Sequence, residues 1–295
     1  MSKLIDYKSY EAEILKPIFQ EKMIDPFIAH LVESFIYKEI INYNKDGAIV
    51  EKYMTKYGVQ EGLYEKLYSN GQKWIESKYK EGKLEGLYQS WYFVKESGKN
   101  KQKRAKCTYK EGKLEGLYQI WYENGQKEKE CYYKDGKIEG LYQQWFRNGQ
   151  KWNEYTYKDG KIEGVWQLWN ENGQKDIECT YKDGKKNGIR QVWHDNGRQM
   201  EIKCHYKDGK KEGLEQKWDS NGQIVFEYNY KDDKKNGLCK TWYSNGQLKQ
   251  ELRFVYDILE EKTTYNMDGS IFFHFYENET VSIYSDSESD FEENE

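Results

Sequence analysis

The sequence predicts a mainly β fold: an elongated, single-layer array of antiparallel β-hairpins, about eight repeats of roughly 24 residues, with a short α-helical N-terminal cap and a disordered acidic tail. Three observations predict it. One pattern recurs along the chain, clearest in YKDGKIEGLYQQWFRNGQK from Tyr133 to Lys151. Its motif glycines, Gly62, Gly86, Gly116, Gly140, Gly164, Gly188, Gly213 and Gly237, are spaced by 24, 30, 24, 24, 24, 25 and 24 residues. Such a period means units that touch mainly their neighbours, so length is added without thickening the core. Each copy also carries two turn dipeptides between two strand-like runs, and the composition is 17% aromatic with only 2 prolines. That aromatic content outweighs the disorder suggested by 33% charged residues and a mean hydropathy of -1.12.

Taken in order, residues 1–45 read as the helical cap. Asp25-Pro26 suits an N-cap followed by Pro at the first helical position, and Ile28, Leu31, Val32, Phe35 and Ile36 recur at helical spacing. Residues 46–256 form the repeat array. Asn148-Gly149, Asn172-Gly173 and Asn196-Gly197 mark one turn per copy, and Asp135-Gly136, Asp159-Gly160 and Asp183-Gly184 mark the other. Both dipeptides tolerate the positive φ of tight hairpins. Residues 257–280 suggest a closing hairpin around Asp268-Gly269, and 281–295 read as a solvated tail of Ser, Asp and Glu. One copy carries an insertion, residues 93–104, that is strongly basic and reads as an extended hairpin loop or a docking loop for an acidic partner.

Within each copy the residues one and five after the motif glycine share a face. They include Leu63, Leu87 and Leu141 in the first column and Trp91, Trp121, Trp145, Trp169, Trp193, Trp218 and Trp242 in the second, which reads as the structural core. Gln119, Gln143 and Gln167 lie between them and could pair along neighbouring repeats. On the opposite face stand Tyr64, Tyr88, Tyr118, Tyr142 and Trp166, two after the glycine, and Tyr92, Tyr122 and Phe146, six after it. An aromatic patch of this extent needs a cover. Two covers compete: the N-terminal helix folded back, or a protein partner, with a second copy of the chain as one candidate.

Chemistry is sparse. Four of the five cysteines share one strand slot and read as packing residues, since paired CxxC ligand sets are missing. Four histidines are scattered, and no HExxH, GxSxG or phosphate-loop element stands in a suitable context. No catalytic residue, metal or cofactor is therefore expected. The formal net charge is -4, and six acidic residues in the last eleven positions more than account for it, so no uniform basic field suits nucleic acid. Lys80, Lys110, Lys134 and their repeats are each followed by Glu or Asp, which argues for a solvated edge over a membrane-binding one. No apolar stretch long enough to span a membrane occurs, and a soluble intracellular protein is expected.

The string YKDGKxEGxxxxWxxNGQ resembles the MORN repeat variant found in antitoxins of the YwqK type and, multiplied, in proteins of large DNA viruses. The likeness covers residues 57–250. It implies a ribbon of antiparallel hairpins and a non-enzymatic scaffold for protein–protein interaction. An antitoxin-like inhibitor of one toxin is the alternative, and binding of anionic lipid headgroups comes third. A viral source would imply the host cytoplasm.

Overall fold

The computed structural model describes residues 36–94, 102–195, 197 and 199–276. From Tyr37 onward the described chain is all β, with 24 strands and antiparallel pairing throughout, while Ile36 is helical. It divides into two compact units, residues 1–138 and 139–295. In the first, Tyr37–Tyr43, Ile49–Lys56, Val59–Leu67 and Lys73–Lys80 follow one another as a meander, and the pattern continues to Lys127–Lys134. The second repeats it from the strand ending at Trp145 to Ile271–Tyr276.

The predicted helical cap is corrected where it can be compared. Residues 1–35 lie outside the described residues, but Tyr37–Tyr43 is a strand, with Ile40 opposite Tyr53. Its sequence YKEIINY places β-branched and aromatic residues in a short run that ends at a turn signal. Asn44 closes that turn, its Oδ1 accepting hydrogen bonds from the backbone N–H of Asp46 and Ala48. The acidic tail and residues 95–101 of the insertion also lie outside the described residues.

The two turn dipeptides fold differently. At Asp135-Gly136 and Asp159-Gly160 both residues have positive φ, near 50° and 75–80°, which is the type I′ hairpin whose twist matches the strands. At Asn148-Gly149 only the glycine is positive, the Gly149 N–H donates to the Phe146 carbonyl, and the register slips at Gln144/Trp145. That is a turn followed by a glycine bulge. The motif glycine is the second bulge: Gly62 has φ 80°, and the pairing shifts from Tyr53 opposite Tyr64 to Met54 opposite Glu61. An L side chain there would be strained.

The glutamate before the motif glycine holds consecutive repeats together. Its carboxylate accepts the backbone N–H of the first turn residue in the next repeat. The pairs are Glu61–Glu81, Glu85–Glu111 and Glu115–Asp135 in the first unit, and Glu139–Asp159, Glu163–Asp183 and Glu212–Asp232 in the second, at 2.7–3.1 Å. The matched acids of the repeat are thus linkers between hairpins.

Burial is distributed differently from the sequence expectation, which put the dry side with Leu and Trp. Leu63, Leu87, Leu141, Val165, Ile189 and Leu238 are exposed, at 37–48%, and the seven tryptophans are half-buried. The most deeply buried side chains, Ser77, Cys107, Cys131, Cys179, Cys204 and Cys239, all sit on the opposite face, each 3% exposed or less. Cys107 lies across from Tyr88, Cys131 from Tyr118 and Cys179 from Trp166. In a sheet one layer thick, a side chain is sealed only by its neighbours on the same face. A small thiol among large rings is covered, whereas an aliphatic side chain beside Lys or Thr is not.

Candidate functional site: an aromatic groove in the first unit

The aromatic face is mostly self-covered. Tyr142 is buried, stacked on Tyr155 at 4.6 Å with Tyr157 edge-on at 6.4 Å. Tyr64, Tyr88, Tyr92, Tyr118, Tyr122, Phe146 and Trp166 are half-buried. Four of the predicted binding residues are also structural donors or packers. The Tyr92 hydroxyl donates to the Trp121 carbonyl at 2.9 Å, as Tyr68 does to Trp91, and Trp166 Nε1 donates to Asn153 Oδ1 at 2.6 Å. Tyr64 donates to Glu51 Oε1 at 2.6 Å, and Phe146 packs on Trp152 at 5.7 Å.

Three of the predicted residues, Tyr88, Tyr92 and Tyr118, meet at an open groove of about 460 Å³ in the first unit. Its floor is a local deficit of side-chain volume. Ile75, Ser90, Ala105 and Ile120 lie opposite one another across successive strands, and the central pair, Ser90 and Ala105, is small. Trp74 and Tyr109 add aromatic wall, while Arg104 and Glu128 supply one charge of each sign. The Tyr88 and Tyr109 rings meet edge-to-face at 6.0 Å, and the Arg104 guanidinium lies 5.9 Å from the Tyr92 ring centre. Burial pushes the Cys107 thiol up to about 11 and raises the phenols of Tyr88, Tyr109 and Tyr118. The thiol and phenols stay uncharged near neutral pH, so they offer ring faces and neutral donors beside the Arg104 and Glu128 charges.

Sequence reasoning missed Trp74, Ser90, Arg104, Ala105 and Tyr109 as parts of one site. The signal was the pair of small residues flanking the insertion, where other copies carry larger side chains such as Leu168 and Ile177.

The tryptophan face is a polar network. Gln167 Nε2 and Lys175 Nζ both donate to Glu178 Oε2, at 2.7 and 2.6 Å, and Lys175 lies 5.4 Å from the Trp193 ring centre. Gln119 with Glu130 and Gln143 with Glu154 repeat the arrangement. The glutamines therefore pair with glutamates across a strand pair, not with one another along the array. Hydrogen bonds from Lys175 and Gln167 hold the Glu178 carboxyl below its ordinary value. Among the described residues no group of His, Cys, Asp and Glu is placed to hold a metal ion, and no helix is long and apolar enough to cross a membrane.

Hairpins linked by repeated glutamate contacts, with one open aromatic groove and all five thiols free, define a β-hairpin repeat protein. Five of its repeats match the model of the MORN repeat variant family, at residues 114–135, 138–159, 162–183, 211–232 and 235–256. Such repeats are consistent with a scaffold or binding role. No curated protein matches the chain significantly. Among solved structures, a TcdB2-TccC3-Cdc42 complex is 9% identical over 77% of this chain and 14% of that one, with a TM-score of 0.18. A porin-like protein from Bacteroides uniformis is 9% identical over 82% of this chain and 94% of that one, with a TM-score of 0.17.

Proposed function

We propose that this chain is a non-enzymatic interaction scaffold, which holds a protein partner on the aromatic face of its first unit at the groove around Tyr88, Tyr92 and Tyr118. The observation that supports this reading is the groove itself: about 460 Å³ of open space walled by rings on a face that elsewhere covers itself. Aromatic walls with a few polar groups suit an inserted side chain of a partner. Five buried, unbridged thiols suit a reducing compartment, which supports an intracellular location. An antitoxin-like inhibitor is the second reading, suggested by the resemblance of the repeat string to YwqK-type antitoxins. The lysine pairs flanking the turns, such as Lys158 and Lys161, stand beside Asp159 and Glu139, so lipid headgroups are the weakest candidate.

The test is to fill the groove. Ala105→Trp should leave the melting temperature near that of the parent chain and abolish recovery of a partner that the parent retains through washing. Equal recovery by both proteins would contradict the assignment, and a toxin as the retained partner would select the second reading.

A further inference from the structure

The floor of the groove belongs to a longer row of side chains in the first unit, one from each of six strands. Register sets Lys66 opposite Ile75, Ile75 opposite Ser90, Ser90 opposite Ala105, Ala105 opposite Ile120 and Ile120 opposite Lys129. The row is small at its centre, aliphatic on either side and cationic at both ends. Each end cation lies over a wall of the groove: Lys66 Nζ is 4.7 Å from the Trp74 ring centre, and Lys129 Nζ is 5.6 Å from that of Tyr118. Arg104, over Tyr92, adds a third cation. Among the described residues that line the groove, Glu128 is the one carboxylate. Glu51, across from Lys66, has its carboxylate taken up by Tyr64 and Asn42. The second unit fills the matching row with Leu168, Ile177, Val192 and Ile202. It ends that row in Asn153 on one side and, on the other, in Lys217, which is paired with Glu201 at 3.5 Å.

We propose that the row in the first unit selects an acidic segment of a protein partner that carries one aromatic side chain. The ring enters the groove above Ser90 and Ala105, and carboxylates to either side of it meet Lys66, Arg104 and Lys129. This selectivity rests on the assignment of the groove as the partner-binding site. A small floor between ring walls favours an aromatic anchor, which gains edge-to-face contacts with Tyr88 and Tyr118 as well as buried area. Cations on the rim attract a segment of opposite charge and repel a basic one. The same face already holds a carboxylate in this way, since the Tyr64 hydroxyl donates to Glu51 Oε1 at 2.6 Å. Neighbouring strands are about 4.8 Å apart, which puts the end lysines about 24 Å apart along the row. An extended segment rises about 3.3 Å per residue, so acids about three or four residues before and after the anchor reach both ends.

Fluorescence anisotropy with the full chain tests this selection. The probe is a short labelled peptide of Ser, Asp and Glu with one central Phe. The expected result is saturable binding that weakens as salt is added and falls at least about 10-fold when the Phe becomes Ala or the acids become Asn and Gln. Arg104 is exposed, so Arg104→Glu should keep the melting temperature while weakening the peptide at least about 10-fold. Lys158→Glu, at an exposed position of the second unit, should leave the affinity unchanged. A peptide with Lys and Arg around the same Phe that binds as tightly as the acidic one would overturn the proposal. So would an Arg104→Glu protein that binds like the parent, or a parent chain that does not bind the acidic peptide. Recovery of a partner by the parent chain but not by Ala105→Trp would still uphold the groove, so the two assignments fail separately.

Discussion

Ser77 occupies the slot that Cys107, Cys131, Cys179 and Cys204 fill in other repeats, and it is 1% exposed with its hydroxyl unsatisfied. A buried hydroxyl without a partner carries a desolvation penalty that a thiol, a weak donor that packs as a small hydrophobe, largely avoids. Ser77→Cys should therefore stabilise the chain by about 1 kcal/mol, seen as a higher urea midpoint at unchanged slope. The same slot shows what one residue could and could not tell in advance. Its small, half-apolar character was legible in the column of cysteines. Its near-complete burial was not, because the rings that cover it lie on neighbouring strands and are brought there by register.

At the scale of the element, the turns explain the motif letter by letter. Asp-Gly supplies two positive-φ residues for a two-residue hairpin, Asn-Gly supplies one for a turn and bulge, and the motif glycine supplies the second bulge. The preceding glutamate satisfies a backbone N–H of the next turn. Glu163→Ala, which frees the Asp183 N–H, should cost about 1 kcal/mol by chemical denaturation, whereas Glu163→Gln should cost less because an amide oxygen still accepts. Strand positions and both turns were legible, since period-two runs and turn dipeptides are local signals. Which face is dry was not: alternation divides a strand into two sides, and in a single layer neither is marked by a second layer. Residues 37–43 misled for a related reason, since a short apolar run after a helical pattern continues either element. At the groove, Tyr88, Tyr92 and Tyr118 were legible, but Ser90 and Ala105 meet only through pairing across the inserted loop.

For the molecule as a whole, the tyrosine and cysteine face, not the leucine and tryptophan face, is the sealed side in both units. Cys107 and Cys131 lie in the first unit, and Cys179, Cys204 and Cys239 in the second, so thiol reactivity reports on that face in each unit. Burial raises the pKa of all five thiols, which lowers the fraction of reactive thiolate as well as its access. The decisive measurement is the count of thiols that react with an aromatic disulfide reagent at pH 8, before and after denaturation. The sealed face predicts no prompt reaction in the native chain and five after unfolding. Two or more thiols reacting in the native chain at the rate of a free cysteine would contradict it.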